Sequence, residues 1–209
     1  MKDSVVNRYI GICVLMAVTF VTLLATPFNS LDPFNLPKLC LLIAVAFIAA
    51  GLVLSKKSFL RDKNYRTPIV VVGAFIVQLT LVLFIDVHTF SFKFYGTPYR
   101  NTGFIAYISL SLLLVASLVS AGYVLIRRYL LALLGVGTAL AFYGIAQSKG
   151  HDIFEYNNAY GSNVFGTFGN PNFQSAFMGI AAAVALTLAV FSSVNFYFKA
   201  ALLVLVTLA

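Results

Sequence analysis

The sequence predicts an all-α fold, a polytopic helical bundle integral to a membrane. Hydrophobic residues make up 61% of the 209 positions and charged residues 10%, which leaves too little polar surface for one soluble core. The apolar residues also fall into runs that approach or exceed the length of a bilayer crossing. These observations exclude a soluble globular domain. We therefore interpret the formal net charge of +8 through membrane topology, not through nucleic-acid binding.

Six complete transmembrane helices and the start of a seventh are expected, in one transmembrane domain over residues 1–209. The six lie at about 9–26, 39–54, 68–85, 104–126, 129–147 and 173–194, and the seventh at 200–209. The first run is interpreted as a membrane helix because it is longer than a usual signal-peptide core and no clear cleavage site follows. Ten helical residues reach only about 15 Å. We therefore expect the chain to be the N-terminal part of a longer protein, cut inside its seventh span.

The positions of the cations predict the orientation of the spans. With a cytoplasmic N-terminus, ten of the 14 lysines and arginines fall on inner links. This distribution obeys the positive-inside rule. A tight turn is expected at Arg127 and Arg128, between the fourth and fifth spans. The four cations left on the outer side are Lys38, Lys93, Arg100 and Lys149.

The outward link at residues 86–103 contains the first candidate site. Phe90, Phe92 and Phe94 alternate with polar residues, which predicts a short extended or interfacial segment rather than a helix. Arg100 follows a Gly-Thr-Pro turn and can present a planar fork to phosphate oxygens. A plain anchor in the membrane interface explains this arginine equally well.

The second candidate site is the stretch GTFGNPNFQ at residues 166–174, which precedes a long apolar run. Asn170 is a good N-cap, and Pro171 falls at the first helical position, where its missing N–H costs nothing. The start of such a helix can hold an anion through its free N–H groups and its dipole, and a structural cap alone is an equal alternative. The candidate substrate-binding residues here are Gly169, Asn170, Asn172 and Gln174.

Small residues predict which helices contact each other. Residues at spacings of three and four on the fifth and sixth spans would let two backbones approach closely. The two cysteines, Cys13 and Cys40, lie inside apolar runs and belong to no metal-binding motif, so neither a disulfide nor a metal is expected. The small residues are Ala132, Gly135 and Ala139 on the fifth span and Ala176, Gly179 and Ala183 on the sixth.

Both candidate sites resemble one known family. Residues 94–104, FYGTPYRNTGF, followed by an apolar span, are similar to the glycine, arginine and glycine pattern before a helix in bacterial O-antigen ligase-like proteins. Residues 166–173, GTFGNPNF, resemble the helix-opening motif of the same family at a similar distance downstream. The order of spans and motifs agrees, so the resemblance covers nearly the whole chain.

The resemblance implies a membrane glycosyltransferase of GT-C type that acts in surface polysaccharide biosynthesis. Such an enzyme transfers a glycan from an undecaprenyl-diphosphate carrier to a lipid or protein acceptor on the outer face of the bacterial cytoplasmic membrane. It requires no metal and no cofactor. Arg100 matches an arginine that engages the carrier diphosphate, and the catalytic residues are expected beyond Ala209. Many relatives carry a further arginine shortly before the Gly-Asn-Pro-Asn element, where this chain has Ser162, Asn163 and Val164.

Two other functions stay open from the residues alone. One is a membrane transporter or flippase for a lipid-linked or anionic solute, although neither inverted repeats nor ionisable groups near the midplane are visible. The other is a non-catalytic subunit of a membrane assembly.

Overall fold

A computed structural model describes residues 3–26, 32–56, 59, 62–98, 100–152, 164–191 and 195–208. Every regular element in these residues is a helix, which confirms the predicted all-α class. Short 3-10 turns occur at Lys63–Tyr65 and Gly166–Phe168. The helices are α1 (Asp3–Met16, followed by a π-helical turn at Ala17–Val21), α2 (Asn35–Ser55), α3 (Arg66–Ile85), α4 (Phe90–Tyr95), α5 (Phe104–Ser120), α6 (Tyr123–Ser148), α7 (Pro171–Phe191) and α8 (Phe196–Leu208).

Five segments in the described ranges are long and apolar enough to cross a membrane. They are Asp3–Val21, Asn35–Ser55, Lys63–Ile85, Val124–Ser148 and Pro171–Phe191, and they match the first, second, third, fifth and sixth predicted spans. Helix α5 is apolar but has 17 residues. It measures about 26 Å, against a hydrocarbon thickness of about 30 Å. The protein is a multi-pass membrane protein, and the count of six complete spans stays a prediction.

The link between α5 and α6 lies earlier in the chain than predicted. Helix α5 ends at Ser120 and α6 begins at Tyr123, so the predicted turn at Arg127 and Arg128 is wrong. Both arginines lie exposed inside α6. The physical reason is helix propensity, because glycine at position 122 disfavours a helix by about 1 kcal/mol whereas arginine favours one.

The chain divides into two compact units, and the first unit consists of Met1–Val21 and Asn35–Ile126. Helix α5 contacts α1, α2, α3 and α4 in this unit. Small side chains lie on its buried face, and Ser109 and Ala116 are fully buried. Neighbouring backbones can therefore approach closely. The Ser109 hydroxyl donates to the Ile105 carbonyl at 2.8 Å. The buried serine is thus satisfied within its own helix and does not oppose packing.

The first span ends in a π-helical turn capped by a lysine. Within this turn, the Thr19 hydroxyl donates to the Leu15 carbonyl at 2.8 Å. The Lys38 amine, at the start of α2, donates to the carbonyl of Val21 at 3.1 Å. A helix leaves its last carbonyls without intrahelical partners, so Lys38 satisfies one of them.

The second unit consists of Thr22–Phe34 and Arg127–Ala209. Helices α6 and α7 contact each other there, as predicted, but through different small residues. A Cβ atom at Gly137 would lie 2.8 Å from the Cβ of Ala181. Of the predicted contact residues, Ala132 is half-buried and the other five are exposed, so the predicted face is wrong. The buried core of this unit is Leu134, Val136, Leu140, Ala141, Met178, Ala185, Ala189 and Leu202.

The physical reason for the wrong face is that small residues occur on more than one side of both helices. On α7, Met178 and Ala185 are buried in one core cluster with residues of α6, and the buried Gln174 continues this stripe towards the helix start. Spacing alone could not choose between the two stripes. The prediction of a single transmembrane domain stays a prediction.

Candidate functional site

In the first unit, Arg100 lies on a short loop closed by two glycines. Gly96 adopts a φ of +93°, a conformation that side chains disfavour. A Cβ atom at Gly103 would overlap with the backbone of Tyr95 and Gly96. The Gly103 N–H donates to the Tyr95 carbonyl at 3.3 Å across this contact. The two glycines of the sequence pattern are therefore explained by the close approach of backbones at the base of the loop, residues 96–103.

The tip of this loop is a backbone turn that exposes Arg100. The N–H groups of Arg100 and Asn101 both donate to the Thr97 carbonyl at 3.1 Å. Asn101 adopts a φ of +51°, a conformation that asparagine tolerates better than most residues. The guanidinium of Arg100 is exposed and makes no hydrogen bond or ion pair to any residue that the structure describes. It is free to bind a ligand from outside the unit.

The segment before this loop is helical, which corrects the prediction of a short extended or interfacial segment rather than a helix. Phe90–Tyr95 forms the single-turn helix α4. The ring of Phe94 stacks on Phe90 at 5.4 Å and on Phe104 at 5.9 Å, between ring centroids. Residues four apart meet on a helix but not on a strand. Tertiary packing on the start of α5 therefore overrides the alternating pattern.

A carboxylate and an imidazole meet where α3 ends. The Nδ1 atom of His88 lies 2.8 Å from Oδ1 of Asp86, and the backbone N–H of His88 donates to the same oxygen at 3.3 Å. The hydrogen bond from the imidazole, together with that from the backbone, lowers the pKa of Asp86. The Lys93 amine donates to the Asp86 carbonyl at 2.8 Å, which ties α4 back to the end of α3.

In the second unit, the predicted helix start is confirmed. Helix α7 begins at Pro171, and the Asn170 side chain accepts a hydrogen bond from the Asn172 N–H at 2.9 Å. The Gln174 N–H donates to the Asn170 carbonyl at 3.1 Å. Proline has no N–H, so among the first four helical residues only Phe173 has a backbone N–H without a hydrogen bond to the described residues. The cap thus uses most of the donors that an anion would need.

Two glycines shape the turn before α7. Gly166 and Gly169 have φ values of +55° and +66°. A Cβ atom at Gly169 would overlap with the ring of Phe34, and Phe34 also packs edge-on against Phe165 at 5.8 Å. The Thr167 hydroxyl donates to the Thr22 carbonyl at 2.9 Å. The turn is therefore fixed against the segment that follows the first span.

A glutamine that sequence reasoning missed holds together the two ends of the loop between α6 and α7. Gln147, near the end of α6, is 9% exposed. Its Oε1 accepts the N–H groups of Phe165 at 3.3 Å and Gly166 at 2.9 Å. Its Nε2 donates to Oδ2 of Asp152 at 3.0 Å. The sequence shows only a glutamine at the polar end of an apolar span. No local pattern indicates that its amide binds residues at both ends of the loop.

The exit from α6 prepares this arrangement. Gly150 adopts a φ of +77°, its N–H donates to the Gln147 carbonyl, and the His151 N–H donates to the Ala146 carbonyl, both at 2.9 Å. This is the Schellman pattern of a helix end. It turns the chain so that Asp152 also accepts the hydroxyl of Tyr143 at 2.5 Å. Residues 153–163, which include part of the predicted outward loop, lie outside the described residues.

Gln174, a predicted substrate-binding residue, is buried. It is 5% exposed, and its Nε2 lies 3.5 Å from the Leu140 carbonyl, at the limit of a hydrogen bond. Its Oε1 accepts no hydrogen bond from the described residues and lies against Gly166, where a Cβ atom would collide with it. The side chain links α7 to α6 and the preceding turn.

The structure brings four of the five predicted site residues together. Gly169, Asn170, Asn172 and Gln174 form one helix start in the second unit, with Gly169 and Asn170 half-buried and Asn172 exposed. Arg100 belongs to the first unit. Their role in substrate binding stays a prediction.

Comparison with known proteins identifies no relative of this chain. No protein-family model, curated protein or solved structure matches this chain. The helices define the class instead, a multi-pass helical membrane protein with two structured loop-to-helix junctions.

Proposed function

We propose that this protein is a membrane glycosyltransferase of the O-antigen ligase-like type. Its N-terminus would be cytoplasmic, and it would transfer a glycan from an undecaprenyl-diphosphate carrier to an acceptor at the outer face of the bacterial cytoplasmic membrane. The observation that carries the proposal is the loop at 96–103, which presents an exposed Arg100 without a hydrogen bond or ion pair to the described residues. The proposed reaction is taken from the resemblance of residues 94–104 and 166–173 to that family.

The chemistry of Arg100 suits a lipid-linked diphosphate. A guanidinium stays charged at every physiological pH and can donate two parallel hydrogen bonds to phosphate oxygens. Arg100 lies four residues before the first residue of α5, an apolar helix. A carrier that is anchored by its polyprenyl chain holds its diphosphate at the membrane surface, which is where the end of such a helix would place the arginine.

The loop also limits the freedom of Arg100 before any ligand binds. The contact between Gly96 and Gly103 holds the base of the loop, and the N–H groups of Arg100 and Asn101 are both bound to the Thr97 carbonyl. A binding group on a fixed backbone loses less conformational entropy when it engages its ligand. Since the cap of α7 uses most of its own donors, Arg100 is the stronger candidate for the diphosphate.

The test is glycan transfer by the complete natural protein carrying Arg100→Ala, expressed from its own locus. Loss of one charge-assisted interaction of about 1.5–3 kcal/mol should reduce transfer roughly 10- to 150-fold. The amount of protein in the membrane should not change, because the side chain makes no hydrogen bond or ion pair to the described residues. Arg100→Lys should keep part of the activity, since lysine retains the charge but not the bidentate geometry.

Lys149→Ala is the matched control, because Lys149 is also an exposed cation, at the end of α6. It should leave transfer at the wild-type rate. If Arg100→Ala transfers glycan at the wild-type rate, Arg100 does not bind the diphosphate. If both variants lose the same amount of activity, the loss is due to general surface charge and not to a specific role of Arg100.

A further inference from the structure

The end of α3 and the helix α4 together expose a set of apolar side chains that are close in the chain. Phe84 and Ile85, in the last turn of α3, are 74% and 77% exposed. Val87, in the following link, is 94% exposed. The set continues on α4 with Phe90, Phe92 and Tyr95, which are 59%, 48% and 52% exposed. We call Val87, Phe90, Phe92 and Tyr95 the α4 surface.

The α4 surface belongs to a fixed element. Helix α4 contacts both α3 and α5, and the stacking of Phe94 on Phe104 holds it against the start of α5. The Lys93 amine closes the link to Asp86 at one end, and the Gly103 N–H closes the loop to Tyr95 at the other. The exposure of these aromatic residues therefore follows from a defined packing arrangement.

The dimensions of α4 restrict what can cover this surface. Six helical residues are about 9 Å long, so α4 cannot cross a membrane. It lies beside the end of α3 and the start of α5, which are the ends of two apolar helices that border the same link. Aromatic rings favour the membrane surface because their apolar bodies and polarisable faces suit the region between headgroups and acyl chains.

Charge around the surface matches the same environment. Lys93 on α4 and Arg100 on the following loop are cations, and His88 precedes the helix. The facing acidic group is Asp86, whose side chain is engaged by His88. Cations beside exposed aromatic rings complement lipid phosphates, which lie directly outside the acyl boundary.

We propose that the α4 surface lies in the interface of the bilayer that α3 crosses, and that its partner is the headgroup and upper acyl region of phospholipids. Helix α4 thereby anchors the link between α3 and α5 in the plane of the membrane. This anchoring does not depend on glycan transfer. It would hold for any function of the protein.

The absence of tryptophan from these 209 residues makes a direct test possible. In Phe92→Trp the new indole is the single tryptophan of this sequence. Any tryptophan elsewhere in the complete protein is replaced by phenylalanine, and the protein is reconstituted in vesicles of phosphatidylcholine and phosphatidylglycerol. The measurements are the emission maximum, quenching by aqueous iodide, and quenching by lipids brominated at a shallow or a deep acyl position. Tyr95→Trp places the probe one turn further along α4 and serves if Phe92→Trp does not fold.

Two reference positions bracket the expected depth. Phe75→Trp lies mid-way along α3 on an exposed apolar position and should be quenched best by the deep bromines. Lys149→Trp replaces an exposed cation after the end of α6 and should be quenched best by iodide. Compared with the Lys149 variant, the α4 probes should show a blue-shifted emission and less quenching by iodide. They should also be quenched more strongly by the shallow than by the deep bromines.

Three results would overturn the proposal. Iodide quenching as strong as in the Lys149 variant would place α4 in water. Quenching that is strongest with the deep bromines would place it inside the acyl core. Protection from both iodide and bromines would show that protein covers the surface. None of these results bears on Arg100→Ala, so the failure of this proposal is distinguishable from failure of the proposed transferase.

Discussion

Replacing Gln147 should destabilise the junction between α6 and α7. In Gln147→Met the side chain keeps its length and its apolar packing, but the acceptor for the N–H groups of Phe165 and Gly166 is lost. Both hydrogen bonds are buried, and an unsatisfied buried donor costs about 1–3 kcal/mol. The hydrogen bond from Phe165 is the longer of the two, so we take its loss to cost about 1 kcal/mol, the low end of that range.

The Asp152 bond adds little to this cost. Asp152 is exposed and keeps the hydroxyl of Tyr143 after the Gln147 amide is removed. We therefore expect Gln147→Met to lower the free energy of unfolding by about 2–4 kcal/mol. The assay is unfolding in mixed detergent micelles followed by far-ultraviolet circular dichroism.

Ser148→Ala is the control for that measurement. Ser148 is the next residue of α6, is exposed, and donates its hydroxyl to the Ile145 carbonyl of its own helix. Its removal should change stability by less than about 0.5 kcal/mol. If Gln147→Met is as stable as Ser148→Ala, Gln147 does not hold the loop and the reasoning is refuted.

Three further predictions concern the caps, the glycine contact and the Asp86 carboxyl. Asn170→Ala should destabilise the helix start by about 1 kcal/mol in the same unfolding assay, because the Asn172 N–H loses its acceptor. Gly103→Ala should lower stability by about 1–3 kcal/mol or more, because the new methyl meets backbone atoms and not a movable side chain. His88→Ala should raise the pKa of Asp86 towards its ordinary value, as measured by infrared titration of the carboxyl group.

Each of these changes has its own check. Asn172→Ala removes an exposed side chain and should be close to neutral. Gly51→Ala lies inside α2 with no atom within 4 Å of the new Cβ, so it should be neutral or stabilising. A lowered pKa means that Asp86 contributes stability above its unfolded-state pKa and loses it as the pH falls through the folded-state value. A pKa unchanged in His88→Ala would contradict the assigned cause.

The start of α7 was predictable because its signals are local. Asn170 and Pro171 act through the backbone of the next few residues, so their roles do not depend on distant parts of the chain. The glycines of the Arg100 loop were identifiable as a pattern. Why glycine is needed there follows only from the tertiary structure, in which Gly96 contacts the backbone at Gly103.

The errors fall where distant contacts decide. The alternating phenylalanines predicted an extended segment, but stacking of Phe94 on Phe104 stabilises a helical turn. The stripe of Ala176, Gly179 and Ala183 satisfied the spacing rule, yet these residues are exposed while Ala181 meets Gly137. Periodicity reports which residues share a face and not which face finds a partner.

The sequence by itself determined the class of this protein, because hydropathy over some twenty residues depends on composition and not on packing. It also determined the capped start of α7, because a cap acts over one turn of chain. Tertiary structure decided the burial of Gln174, the role of Gln147 and the helical form of Phe90–Tyr95. Each of these depends on atoms far apart in the chain or on side chains that choose among several partners, and no local pattern encodes that choice.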